Sequence, residues 1–151
     1  MKTNMALSLL RDCQYYEANL HAFVVMSHHI HFLVTPKPEE TISNLMRNLK
    51  RRSANLLTPD LNEFEKSQLS DQIGLNQHGF WKEGFRGNPM LTPKVFRQKA
   101  NYIHQNPVRA GLTELAEQYR WSSAMLYVEG FAIDDYLLDL QKCIQFYEEL
   151  V

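Results

Sequence analysis

Apolar residues run through Ala22-Phe23-Val24-Val25-Met26 and resume at Phe32-Leu33-Val34, with His29-Ile30-His31 between the two stretches. The pattern predicts a buried strand bounded downstream by Pro36 and Pro38, and a nearly continuous apolar run marks a strand covered on both faces. Side chains alternate along a strand, so His29 and His31 point one way and Ile30 the other. The remaining periodicity is helical. Met5, Leu9, Leu10 and Cys13 predict a helix over residues 1 to about 18. Thr41 reads as the N-cap of a helix with Ile42, Leu45, Met46 and Leu49 on one face and Arg47, Lys50 and Arg51 off it. Residues 58–79 are polar, hold Pro59, Gly74 and Gly79, and predict a long loop. Phe80–Phe85 is a short strand candidate.

Thr92-Pro93 pairs an N-cap with proline at the first helical position. The helix it opens should end near Gln105, because Pro107 disfavours helical geometry at Asn106. Phe96, Ala100 and Ile103 form its apolar stripe. Tyr102 falls on the far side of that stripe, with Gln98, Lys99 and Asn106 near it, whereas His104 falls far around the wheel and outside any site built on Tyr102. A last helix is predicted over Tyr136–Leu150.

Composition changes this picture little. The chain has 151 residues, 44% hydrophobic and 22% charged. That fits a single globular domain over residues 1–151 with a full core. No secretory pattern opens it and no apolar stretch is long enough to span a bilayer, so a cytoplasmic protein without a membrane partner is expected. Cys13 and Cys143 lack paired spacing and read as reduced, buried thiols. Charge changes more. The net value of −1 hides a segregation: Arg47, Lys50, Arg51 and Arg52 stand without an acid between Thr41 and Leu57. Six basic residues face Glu83 alone from Lys82 to Arg109, and acids dominate after Thr113. Segregated charge suits a polyanion, and equally a solvated helix surface.

Two imidazoles side by side supply half of a metal site, or are two histidines satisfied by neighbours. A tyrosine turned from the core is a nucleophile candidate, although most helical tyrosines only pack. The combination says more. Met26-Ser27-His28-His29-Ile30-His31-Phe32-Leu33-Val34 resembles the strand of the HUH (His-hydrophobic-His) single-tyrosine transposases. Tyr102-Ile103-His104-Gln105-Asn106-Pro107-Val108-Arg109-Ala110-Gly111-Leu112 is similar to the tyrosine helix of their REP-associated branch. Ser43–Lys50 resembles the family's basic helix, Phe80-Trp81-Lys82 its tryptophan strand, and Tyr119-Arg120-Trp121-Ser122-Ser123 its tyrosine–serine–serine motif. Order and spacing agree over roughly residues 20–128.

The resemblance implies an α+β fold of the ferredoxin-like or RRM-like HUH type, an antiparallel sheet of about four strands with helices packed on it. It implies cleavage and rejoining of single-stranded DNA, in hairpins of palindromic repeats, through a 5′-phosphotyrosine on Tyr102. His29 and His31 would bind Mg²⁺ or Mn²⁺, with Asn106 as third ligand by its match one turn after the tyrosine; a helix C-cap is the other reading of Asn106. Arg47, Lys50, Arg51, Arg52 and Lys99 are candidate phosphate contacts, and Gln98 a weaker one. Trp81 and Phe85 are candidates for base stacking or for the core. Members usually have proline and asparagine where Ser27 and His28 stand, and begin with a strand before the first helix. Here Met1 sits almost at the helix, so that strand is expected to be missing, which would open a sheet edge and make a homodimer more plausible. Two other readings stay open: a catalytically inactive DNA-binding relative, and a small zinc hydrolase lacking a visible third strong ligand.

Overall fold

A computed structural model describes residues 1–58, 81, 85–87, 89 and 92–151. Most of the predicted loop and of the Phe80–Phe85 strand candidate lies outside the described residues. The order is α1 (Lys2–Tyr15), β1 (Asn19–Val25), β2 (Ile30–Thr35), α2 (Ile42–Leu57), α3 (Pro93–His104), α4 (Asn106–Arg109), a 3₁₀ turn (Ala116–Gln118), α5 (Ser123–Val128), β3 (Ala132–Asp134), β4 (Leu137–Leu138) and α6 (Leu140–Glu148). The fold is α+β, with two antiparallel two-stranded sheets, β1-β2 and β3-β4.

The single strand expected over Ala22–Val34 is a hairpin. Met26 N–H donates to the His29 carbonyl at 2.9 Å and closes a tight turn through Ser27 and His28, both exposed. Neither turn residue is glycine, proline or asparagine, so the turn carries no strong local signal. Pairing then runs Val25↔Ile30, Val24↔His31, Phe23↔Phe32 and Ala22↔Leu33. His28 belongs to this turn rather than to a strand.

Hydrogen-bonded and non-hydrogen-bonded pairs alternate in such a ladder. With Met26 and His29 bonded, the backbone groups of Val25 and Phe23 turn outward. They are met by the segment around the Tyr119–Ser123 motif. Val25 N–H donates to the Trp121 carbonyl at 2.9 Å, Phe23 N–H to Ser123 Oγ at 2.8 Å, and the Tyr119 phenol to the Val25 carbonyl at 2.9 Å. Val24 and Ser122 form an isolated antiparallel bridge. That edge is therefore closed by one bridge and by side chains. By the same alternation Ile30 and Phe32 present backbone groups along the outer edge of β2, where no strand pairs among the described residues. The four-stranded sheet expected from the sequence is not formed by these residues.

Each face of the hairpin is covered. Leu20, Phe23 and Val25 join Met5, Leu9, Leu10 and Cys13 of α1, Leu45, Leu49 and Leu57 of α2, and Ile144 and Tyr147 of α6, with Ile30, Phe32 and Val34 packed against them. Ala22, Val24, Met26 and Leu33 pack on the opposite face against Ala100 and Ile103 of α3 and Tyr119. A register shift between Leu20 and Ala22 exchanges the faces there, and explains why an apolar residue is needed at both. Full burial of each large side chain contributes roughly 2 kcal/mol. The two caps read from sequence form as expected, Asn44 N–H donating to Thr41 Oγ1 and Val95 N–H to Thr92 Oγ1, each at 3.2 Å. The last helix starts later than predicted, at Leu140, because Ala132–Leu138 forms the small second sheet.

Candidate active site

The face of the hairpin that meets α3 also carries the histidine pair. The rings of His29 and His31 lie 4.9 Å apart at 71°. His31 in turn faces Tyr102 edge-on, with 6.0 Å between centroids and 75° between planes. Strand alternation supplies the first relation and helical phase the second: Ile103 seats α3 on the hairpin, so Tyr102 emerges at the border of that contact. Tyr102 is 43% exposed, enough for its hydroxyl to meet a substrate. Burial, and then the neighbouring His29, push the His31 pKa below its ordinary 6.5. The imidazole therefore stays neutral at neutral pH, the form that ligates a metal.

Asn106 joins α3 to α4. Pro107 has no N–H, so the Ile103 carbonyl loses its helical partner. Asn106 Nδ2 supplies the donor, bonding the Tyr102 carbonyl at 2.8 Å and the Ile103 carbonyl at 3.3 Å. The C-cap position of α3 is Gln105 rather than Asn106, but the Asn106 amide nitrogen bonds the last carbonyls of the helix from the next position. The ligating atom of the other reading is Oδ1, so the two roles use different ends of one side chain. Among the described residues no three His, Cys, Asp or Glu side chains cluster as a metal site. A divalent ion held by the histidine pair would take its further ligand from another residue type, and two imidazoles with an amide oxygen would suit Mn²⁺ or Mg²⁺.

The cations divide between two places. Lys99 Nζ lies over the Tyr102 ring, 5.8 Å from its centroid. Gln98 is exposed on the same helix. The α2 residues belong to the opposite layer, where Leu45, Leu49 and Leu57 fasten that helix to α1 and the hairpin. Arg47 and Arg51 are exposed and donate to the neutral amides of Asn44 and Asn48, at 3.1 and 3.2 Å. Lys50 is half-buried, and burial lowers its pKa. Arg52 turns inward instead. Its Nε bonds the Asp12 carboxylate at 2.6 Å, and its guanidinium lies 4.6 Å from the Tyr15 ring centroid. This contact joins α1 to α2 and already matches the charge expected to meet DNA. Trp81 donates from Nε1 to Ser53 Oγ at 2.8 Å and packs on the main core, the contacts of a core aromatic. Phe85 is exposed.

His104 stands apart from the site, as its helical phase indicated. It bonds Ser123 Oγ at 2.7 Å, and burial lowers its pKa to about 4. Sequence reasoning passed over Arg109, whose guanidinium carbon lies over the Tyr102 ring at 4.9 Å. The available signal was its spacing, seven residues or nearly two turns from Tyr102. It was hidden by the expectation that the helix stops before Pro107.

No solved structure matches the chain. A curated protein of Haemophilus influenzae named "Putative REP-associated tyrosine transposase" is 26% identical over 115 residues, covering 75% of this chain and 62% of that protein. The chain thus spans less than two thirds of the length of that relative. The family model described as "Transposase IS200 like" matches residues 1–106, a span that holds both histidines, Tyr102 and Asn106. On this match, the chain belongs to the IS200-like transposase family.

Proposed function

We propose that this protein cleaves and rejoins single-stranded DNA, with Tyr102 as nucleophile, as one step of DNA transposition. The observation that carries the reading is the row of rings His29, His31 and Tyr102, which brings two imidazoles beside an exposed phenol. His29, His31 and Asn106 Oδ1 would hold Mn²⁺ or Mg²⁺, which when bound offsets the negative charge of the phosphate's non-bridging oxygens. Tyr102 Oη attacks phosphorus in line and gives up its proton. The bond from phosphorus to the 3′ oxygen breaks, and that oxygen takes up a proton as a free 3′-OH. The 5′-phosphotyrosine conserves the ester bond, so attack by another 3′-OH rejoins a strand without ATP. Arg47, Lys50 and Arg51 serve flanking phosphates on the α2 side, and Lys99 serves phosphates near the tyrosine. The partner is a single strand folded as a hairpin of palindromic sequence, following the resemblance to the REP-associated branch.

The test incubates the protein with Mn²⁺ and a labelled single-stranded hairpin from its own genomic neighbourhood, beside Tyr102→Phe and His29→Ala. A covalent protein–DNA adduct absent from both variants supports the reading. An adduct that survives Tyr102→Phe overturns it, and failure with every flanking hairpin favours a DNA-binding relative without catalysis.

A further inference from the structure

Two stripes run along α3 and α4. Phe96, Ala100, Ile103 and Pro107 are the inward one, with Ala100, Ile103 and Pro107 buried. One residue back, at spacings of three, four and three, lie Lys99, Tyr102, Asn106 and Arg109. This second stripe crosses the proline because the helix resumes at once. Arg109 N–H donates to the Gln105 carbonyl and Ala110 N–H to the Asn106 carbonyl, each at 3.0 Å. The turn is then stopped firmly. Gly111 has φ +69°, a left-handed conformation that glycine adopts without strain. Its N–H donates to the Val108 carbonyl at 3.0 Å, and the Leu112 N–H to the Pro107 carbonyl at 2.9 Å, the paired bonds of a Schellman stop. Arg109 is thereby held in the last turn, with its guanidinium over the nucleophile's ring.

We propose that Arg109 binds a phosphate of the DNA strand at Tyr102, forming with Lys99 an anion site around the nucleophile. Three observations carry this. No carboxylate pairs with Arg109 among the described residues, so its charge is uncancelled. The guanidinium carbon lies 4.9 Å from the Tyr102 ring centroid, and no side-chain hydrogen bond engages its N–H groups among the described residues, which leaves them for the two oxygens of a phosphate. The side chain is exposed and lies on the same stripe as the hydroxyl that must meet phosphorus. The identity of the anion as a strand phosphate rests on the proposed function; the presence of an anion site beside Tyr102 does not.

The test uses a single-stranded oligodeoxythymidine and measures its affinity by fluorescence anisotropy against salt concentration. Removing one phosphate contact should lower the slope of log affinity against log salt by about 0.7. Arg109→Ala should show that loss, with roughly tenfold weaker binding at low salt. Arg109→Lys should keep the slope, as it keeps the charge, but recover only part of the affinity. In a Tyr102→Leu background, which removes the ring beneath the guanidinium, Arg109→Ala should cost less. An unchanged slope in Arg109→Ala, or equal costs in both backgrounds, overturns the proposal. Binding that depends on Arg109 without any covalent adduct would leave this site standing and remove the catalytic reading. An adduct with binding indifferent to Arg109 would do the reverse.

Discussion

The imidazole of His31 meets the ring of Tyr102 edge-on at 6.0 Å, joining two residues 71 positions apart in sequence. Both contributors are held by backbone devices rather than by the site itself: a closed hairpin turn beside His29, and a capped, proline-interrupted helix under Tyr102. The burial of His31 is therefore set by the fold itself. In metal-free protein its ring should titrate below 6.5. His29→Gln removes the second cause and leaves burial, so the midpoint should rise without reaching 6.5. NMR of the ring protons during a pH titration checks this, and an unmoved midpoint would remove His29 as a contributor.

Arg52 and the cations before it should separate cleanly. Arg52→Met leaves Asp12 buried without its partner, although burial already favours the protonated carboxyl there. The cost should be roughly 2 kcal/mol, less than for a fully enclosed pair because the guanidinium is half in solvent. Arg47→Ala and Arg51→Ala should leave stability within about 0.5 kcal/mol and weaken DNA binding, each lowering the salt slope by about 0.7. Urea unfolding and salt-dependent binding on the same variants test both halves.

Asn106→Asp distinguishes the two ends of that side chain. Aspartate keeps an oxygen ligand and adds charge, but it has no N–H for the Tyr102 and Ile103 carbonyls. The variant should lose about 1 kcal/mol of stability or more, while Mn²⁺ affinity holds or rises. Calorimetric titration with Mn²⁺ and thermal unfolding read the two effects separately. Loss of both together would make the cap the residue's only role.

His104 should set much of the acid limit of stability. Its folded pKa of about 4 lies below the ordinary 6.5, so in that interval the unfolded state binds more protons and stability falls as pH falls. The contribution is intact above 6.5 and fully lost below about 4, a change on the order of 3 kcal/mol. His104→Gln can still bond Ser123 but does not titrate, so its urea midpoint should stay flatter across the interval.

Much of this was legible in the chain because local rules dominate. Thr41 and Thr92 cap helices where predicted, and the phase of α3 separates Tyr102 from His104. The errors arise where tertiary structure decides. The turn at Ser27-His28 lies between apolar stretches that are buried on both faces, so no hydrophobic contrast marks it. The Tyr119–Ser123 motif reads as a short pattern, yet it closes the edge of β1 through Tyr119, Trp121 and Ser123. Arg52 has the same sequence context as Arg51, and only the position of α1 shows that one meets Asp12 and the other solvent. Arg109 lies beyond α3, which ends at His104 as Pro107 predicts, and the separate turn Asn106–Arg109 brings it back over Tyr102.

The most direct measurement of the central claim is the site of covalent attachment. Adduct formed with Mn²⁺ and a genomic hairpin is trimmed with nuclease and digested, and its peptides are sequenced by mass spectrometry. The account predicts a nucleotide joined through its 5′ phosphate to Tyr102, and no such peptide from Tyr102→Phe. Attachment at any other residue, or an adduct of undiminished yield in Tyr102→Phe, would contradict it.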